Sequence, residues 1–441
     1  MSPGYDSFGL VDRRQRAAIS LEAARQIFED GHPRQGGFLP FGNGKSYGDT
    51  CHNDRGTLVD MRGSDKLISF DPQTGVLAAE AGLLLSDLIA IVAPHGFFPA
   101  VTPGTRFVTL GGAIANDVHG KNHHRRGTFG CHVEQFDLLK SDGEVATCSA
   151  SMNPKLFAAT VGGLGLTGII LSARIRLMKV NSLDVEERVM PFSSLAEYFQ
   201  MAPRADEDNE YAVGWVDQLS SGRNAGRGIL ITGNHADNGN FKTATKISRL
   251  GVPFELPVSA LNYPSLKLFN AAYYHLKGRK QAPHLNSYQA FFYPLDQVSN
   301  WNRLYGRAGL YQHQSLIPEE LAPSVVPQML HATRRAGQRS FLTVLKRFGS
   351  MASPGIMSFP QAGYTLTVDF PNRGTHTLAL LERLDRMTID AGGRVNPYKD
   401  QRMSPAIFKS GFSRWKELEY ERDPAISSNF WARTALAGET G

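Results

Sequence analysis

Cysteine is scarce in this chain. Cys51, Cys131 and Cys148 are the only three in 441 residues, too few and too scattered for a disulfide framework or a zinc site. That usage points to a reducing compartment and a cytoplasmic location. Long apolar runs are missing too: none approaches the ~20 residues needed to span a bilayer. The N-terminal stretch is broken by Asp6, Asp12, Arg13, Arg14 and Arg16 and holds no apolar core of a secretory signal. No long basic run is present, and a formal net charge of +6 is mild for this length, so nothing indicates a nucleic-acid binder. An anionic lipid or a phosphorylated substrate accounts for that charge equally well. Internal repeats and low-complexity tracts are absent, which argues against a solenoid. With 41% hydrophobic and 20% charged residues, the chain can bury the cores of two domains.

Glycine, by contrast, is concentrated in two places, Phe41-Gly-Asn-Gly-Lys-Ser-Tyr-Gly-Asp49 and Gly111-Gly-Ala-Ile-Ala-Asn-Asp-Val-His119-Gly-Lys-Asn-His-His124. Each reads as a turn whose backbone can approach a ligand closely and offer several N–H groups, and together they suggest one flavin held from two sides. A nucleotide-triphosphate loop is rejected, because Gly44-Lys45-Ser46 follows Gly42 too closely for a Walker spacing. Gly163-Leu-Gly165-Leu-Thr-Gly168 has dinucleotide-fingerprint spacing but leads into the strand-like Ile169-Ile-Leu-Ser-Ala-Arg-Ile-Arg. A fingerprint must open a helix, so a Rossmann site is not supported.

Patterning predicts strands at Thr57–Met61, Leu67–Phe70, Val76–Ala81 and Ile169–Met178, with a turn through Asp71-Pro-Gln-Thr-Gly75. A helix capped by Ser86 is expected through Ile91, ending near Gly96, followed by a hairpin over Leu138–Ala146 that turns at Asp142-Gly143. An α+β layer ends near residue 180. An aromatic-rich region then runs to Gly392, where Gly392–Val395 returns to the pattern of a short strand.

The segments Phe41–Asp49, Pro103–Arg106, Thr109–His124, Thr160–Ile170, Trp301–Gly306, Val368–Pro371 and Lys399–Arg402 occur in an order that resembles the decaprenylphosphoryl-β-D-ribose 2-oxidase family. That family lies within the vanillyl-alcohol-oxidase-like, PCMH-type flavoproteins. The resemblance implies an FAD-binding domain (1–180), a substrate-binding cap with an antiparallel sheet (181–392) and a C-terminal return to the FAD-binding domain (393–441). It implies FAD cradled by Gly42, Asn43, Gly44, Lys45, Ser46, Tyr47, Gly48, Asp49, Gly104, Thr109, Gly111, Gly112, His119, Gly120, Lys121, Asn122 and Ile170. Tyr47 stands where many superfamily members carry a histidine bonded to the flavin, which implies non-covalent FAD. His119 or His52 would be the unexpected attachment point.

The implied reaction oxidises the 2-hydroxyl of a polyprenyl-phosphate-linked ribose, with a separate short-chain reductase completing the epimerisation to arabinose for cell-wall arabinan. Oxidising a secondary alcohol requires a hydride acceptor, which no side chain supplies, and a destination for the hydroxyl proton. Lys399 matches the family's active-site lysine. Taken alone, a lysine before Asp400 would be read as a surface ion pair; as a base it needs burial or a neighbouring cation to lower its pKa, and if charged it would stabilise negative charge instead. His119 is the second catalytic candidate, while His123 and His124 are read as scaffold and no metal site is expected.

Lys121 and Lys346 match positions facing the sugar phosphate. Gln312 and Gln314 alternate along Leu310–Ser315 and would share one strand face toward the sugar hydroxyls, or toward solvent. Thr367 replaces the family's inhibitor-trapping cysteine, Thr365 an asparagine and Phe292 a tyrosine, and Asn396-Pro-Tyr398 departs from the usual tyrosine placement. Two other functions stay open: an aldonolactone or sugar oxidase of the same superfamily, and a redox-dead flavin-binding scaffold. Leu266–Lys280 mixes aromatic, aliphatic and basic residues, as a segment in peripheral contact with a membrane would, but could equally be a cap helix.

Overall fold

The computed structural model describes residues 4–31, 35–243, 251–257 and 259–438. Near the N-terminus, Ala18–Ser20 and Phe38–Phe41 flank Thr57–Asp60 in a three-stranded parallel sheet. A five-stranded antiparallel sheet follows, ordered Leu67–Asp71, Val76–Glu80, Ile169–Arg176, Val133–Leu139, Val145–Ser149. Gly143, at φ 86°, turns the hairpin between its last two strands. The Gly163–Gly168 loop runs into a strand, as its sequence pattern required.

Two local expectations need correction. The helix after Val76–Glu80 spans Leu85–Val92, and Ser86 lies inside its first turn without capping it. Two of the helix's first amides donate instead to the returning chain, Leu85 N–H to Val108 O (3.0 Å) and Ser86 N–H to Arg106 O (2.9 Å). The second glycine cluster is not a simple turn: it opens a short helix, Leu110–Ala115, capped by the Thr109 hydroxyl, which accepts from Gly112 N–H at 3.1 Å.

Most of the remaining chain builds an eight-stranded antiparallel sheet, ordered His284–Asn286, Val185–Phe192, Gly228–His235, Tyr211–Val216, Thr343–Phe348, Gly363–Pro371, Leu310–Ile317, Arg394–Val395. Alternation divides its two faces. Leu345, Leu366 and Val368 bury against the helices Leu195–Asp208, Ala322–Arg335 and Thr375–Asp390. The neighbouring positions Val344, Lys346 and Thr367 turn to the opposite side and line a cavity.

The chain then returns. Arg394–Val395 pairs with Leu310–Ile317, and the helices Pro405–Gly411, Trp415–Glu421 and Asn429–Thr434 bring Phe408, Trp415 and Trp431 into one core with Phe38, Leu58 and Leu138. Buried Asp49 accepts from Arg433 at 2.7 Å, and Arg433 also binds Asp400 at 2.7 Å. A Cβ on Gly48 would lie 1.4 Å from the carbonyl oxygen of Asp400. We therefore expect Gly48→Ala to force the loop and the return segment apart, lowering stability by about 3 kcal/mol or more. Loss of bound flavin and an earlier urea midpoint would register this; an unchanged midpoint would refute it.

Candidate active site

A cavity of about 820 Å³ opens between the glycine loops and the inner face of the large sheet. On the loop side it is lined by Gly42, Asn43, Gly44, Lys45, Ser46, Tyr47, Gly104, Thr109, Gly111, Gly112, Gly120 and Ile170. His119, Lys121, Gln312, Gln314, Lys346, Thr367 and Lys399 complete the predicted set around the same space. Four predicted residues lie outside it. Gly48 and Asp49 hold the seam to the C-terminal return. Asn122 donates to Ala100 O (2.8 Å) and Glu210 (3.1 Å), bracing the second loop. Thr365 sits behind Gln314, its hydroxyl accepting from the Gln314 amide at 3.1 Å.

The loop wall suits an extended anionic cofactor. Among the described residues, the amides of Asn43, Gly44, Lys45 and Ser46 donate to no protein acceptor. Gly104 lines the cavity, and a Cβ there would meet no protein atom within 4 Å, which leaves room for a ligand against bare backbone. Arg106 Nε is buried without a protein partner in the same wall. Unspent N–H groups beside Arg106 and Lys45 fit the pyrophosphate of FAD. The fit includes its attachment: Tyr47 occupies the first loop, both His119 ring nitrogens are engaged by protein groups, and His52 does not line the cavity.

Opposite the loops, the sheet supplies a buried polar network. On the strand Leu310–Ile317, Gln312 and Gln314 share the cavity face, so the solvated alternative does not hold; His313 points the other way, to Asp385 at 3.1 Å. Gln312 donates to Asp369 at 2.6 Å, and the Gln314 carbonyl accepts from Asn396 at 2.8 Å. That second bond orients the Gln314 amide, whose nitrogen lies 3.0 Å from His119 Nε2, while Tyr398 OH lies 3.2 Å from His119 Nδ1. We assign His119 from this network as the neutral Nδ1–H tautomer, donating to Tyr398 and accepting from Gln314. Burial, together with Lys346, His123 and Lys399, holds its pKa well below the ordinary histidine value. His119 is thus a fixed neutral polar group whose lone pair is already committed to Gln314.

Lys399 lies in the turn Pro397–Lys399, its Nζ 4.1 Å from the centre of the Tyr47 ring. Burial lowers its pKa to about 8, against the opposing pull of Asp369. The Asp369 carboxyl is itself raised to about 7 by burial, partly offset by Gln312 and Lys399. Lys346 is brought to about 7 by burial and by its neighbours Lys121 and Lys399. Lys121 falls to about 8 through burial, and its amine bonds to Phe291 O. Amines that titrate this near neutrality can trade protons or, when charged, hold an anion.

Sequence reasoning missed Asp369, although it lies within the Val368–Pro371 motif, and gave no role to Tyr398 or Asn396. The N-terminal segment was also undervalued: Phe8 lines the cavity and packs on Tyr47 and Trp301 at ring distances of 5.1 and 5.3 Å. Phe292 lines the cavity without a hydroxyl, and the adjacent Tyr293 turns its own to Thr102 at 2.6 Å.

Unpaired loop amides facing a wall of buried amines and carboxamides fit FAD, and the chain is an FAD-dependent oxidoreductase of the vanillyl-alcohol-oxidase type, with non-covalent flavin, acting on a CH–OH group. Comparison with known proteins agrees. The FAD binding domain family matches residues 20–149. Decaprenylphosphoryl-β-D-ribose oxidase of Mycolicibacterium smegmatis is 34% identical over 88% of this chain and 86% of its own length. An uncharacterised protein of Streptomyces coelicolor is 31% identical over 78% and 96%, and L-gulonolactone oxidase of Bos taurus 27% over 46% of each chain. The chain belongs to the decaprenylphosphoryl-β-D-ribose oxidase family.

Replacing Lys399 by alanine is expected to slow anaerobic flavin reduction by about a hundredfold or more while FAD stays bound. In the unmodified enzyme the neutral amine gains population as pH rises through about 8, so the reduction rate should climb and level off above that value. A stopped-flow profile that falls with pH would show that the charged form acts instead.

Proposed function

We propose that the enzyme oxidises the 2-hydroxyl of a polyprenylphosphoryl-β-D-ribose to the 2-keto sugar. The observation that carries this reading is the cavity wall itself: Lys121, Lys346 and Lys399 with Gln312 and Gln314 face one space. Amines suit the phosphodiester as point charges, and the carboxamide oxygens can accept from sugar hydroxyls. The resemblance to the Mycolicibacterium smegmatis oxidase, over most of both chains, supports the same substrate class.

Bound FAD supplies the hydride acceptor that no side chain provides. The chain's own task is then to orient the sugar and receive a proton. Lys399, whose pKa burial lowers to about 8, takes in its neutral form the proton lost by the 2-hydroxyl, and nearby Asp369 stabilises the ammonium that results. His119, locked between Tyr398 and Gln314, fixes Gln314 for the sugar. The keto product is the natural substrate of a short-chain reductase, which would complete epimerisation for arabinan synthesis.

Anaerobic titration of the yellow protein with farnesylphosphoryl ribose should bleach the visible flavin band, and acid precipitation should then release the flavin into the supernatant. Bleaching by L-gulonolactone but not by the phosphoribosyl lipid would reassign the substrate to the small sugar lactones. Reduction by neither would point to a redox-inactive scaffold.

A further inference from the structure

The helix Tyr263–Lys277, which holds most of the mixed segment Leu266–Lys280, turns large apolar side chains to solvent as well as to the core. Its inner face buries Leu266 and packs Tyr273 and Tyr274 against Val189, Trp215 and Ile229, and it carries polar partners as well. Asn270 is buried and donates to Asp217 at 2.8 Å, and Lys277 forms an ion pair with buried Glu187. Its outer face carries the large apolar side chains: Leu268 is 74% exposed, Leu276 62% and Phe269 42%. Leu268, Ala272 and Leu276 recur every four residues and so stack into one stripe, with Phe269 beside it. A water-facing helix ordinarily keeps such side chains off its outer face.

Charge around the stripe has one sign. Residues 263–280 contain no Asp or Glu, and Lys267, Arg279 and Lys280 are exposed at its margins. Half-exposed Tyr263 has Lys267 Nζ 5.5 Å and the Arg339 guanidinium 5.0 Å from its ring centre. Beside the stripe lies a groove of about 340 Å³ lined by Phe269, Ala272, Tyr273, Leu276, Lys277 and Lys280. Tyr273 lines this groove and the active-site cavity alike.

We propose that this helix is a membrane-docking surface that seats the enzyme on an anionic bilayer, the apolar stripe entering the acyl boundary and the basic margin meeting the headgroups. An apolar strip whose own segment carries cations and no acid fits a negatively charged lipid surface better than a second copy of itself, because a twofold contact would bring like charges together. Among the described residues no helix is long and apolar enough to cross a membrane, so attachment through this face is peripheral. The inference does not depend on the sugar-lipid reading of the active site, and its test contains no sugar lipid.

The test is co-sedimentation of the full-length holoprotein with phosphatidylglycerol-containing vesicles and with pure phosphatidylcholine vesicles. Binding to the anionic vesicles that weakens with salt is expected, and the double substitution Leu268→Glu/Leu276→Glu should reduce it about tenfold or more. Flavin content and melting temperature should stay unchanged. Lys267→Glu/Lys280→Glu, which leaves the stripe intact, should also weaken binding. Absence of binding at low salt, or binding by both double variants as strong as that of the unmodified protein, would overturn the proposal. So would a concentration-dependent dimer that the leucine substitutions dissolve without any vesicle binding.

Discussion

The seating of the first glycine loop on the C-terminal return is the contact on which the rest of the structure depends. Tyr47 N–H donates to Tyr398 O at 3.0 Å, and Gly48 sits where any side chain would collide with Asp400. The Asp49–Arg433–Asp400 bridge closes the same seam. Through this contact Lys399 comes over the Tyr47 ring and Tyr398 reaches His119. Arg394–Val395 then ties the return to the large sheet, so loop, return and sheet are held relative to one another.

Electrostatics in the cavity follow from that closure. Taking several amines out of water penalises their charged forms, and Lys121 and Lys399 further discourage Lys346 from protonating. Lys346 and Lys399 therefore approach neutrality while Asp369 rises to meet them. Such a site is tense toward cations and receptive to anions. It is suited to a reaction in which a proton is accepted locally and negative charge is brought in by the ligands.

Much of the architecture was legible because its signals are local. Glycine clustering, the spacing that excluded a Walker loop, and the strand pattern after Gly168 depend on neighbours in sequence, and the backbone follows them. Local rules failed where distant chain intervened. Ser86 does not cap its helix because Val108 and Arg106 carbonyls take the orphan amides. Gly48 and Asp49, grouped by sequence with the cofactor loop, face the return segment instead. Asp369 escaped attention because a carboxylate in a strand carries no mark of its burial beside Lys399.

The sequence by itself determined the two glycine-rich loops, the identity of Tyr47, Lys399, Gln312 and Gln314, and the alternation that gives each strand two unlike faces. These are properties of composition and short-range periodicity. Only the tertiary structure decided which faces meet, that the His119 lone pair is bound to Gln314, and that burial shifts the lysines toward neutrality. It also decided that the helix Tyr263–Lys277 turns Leu268 and Leu276 outward. Burial and pairing between residues far apart in sequence are set by packing, and packing exists only once the whole chain has closed.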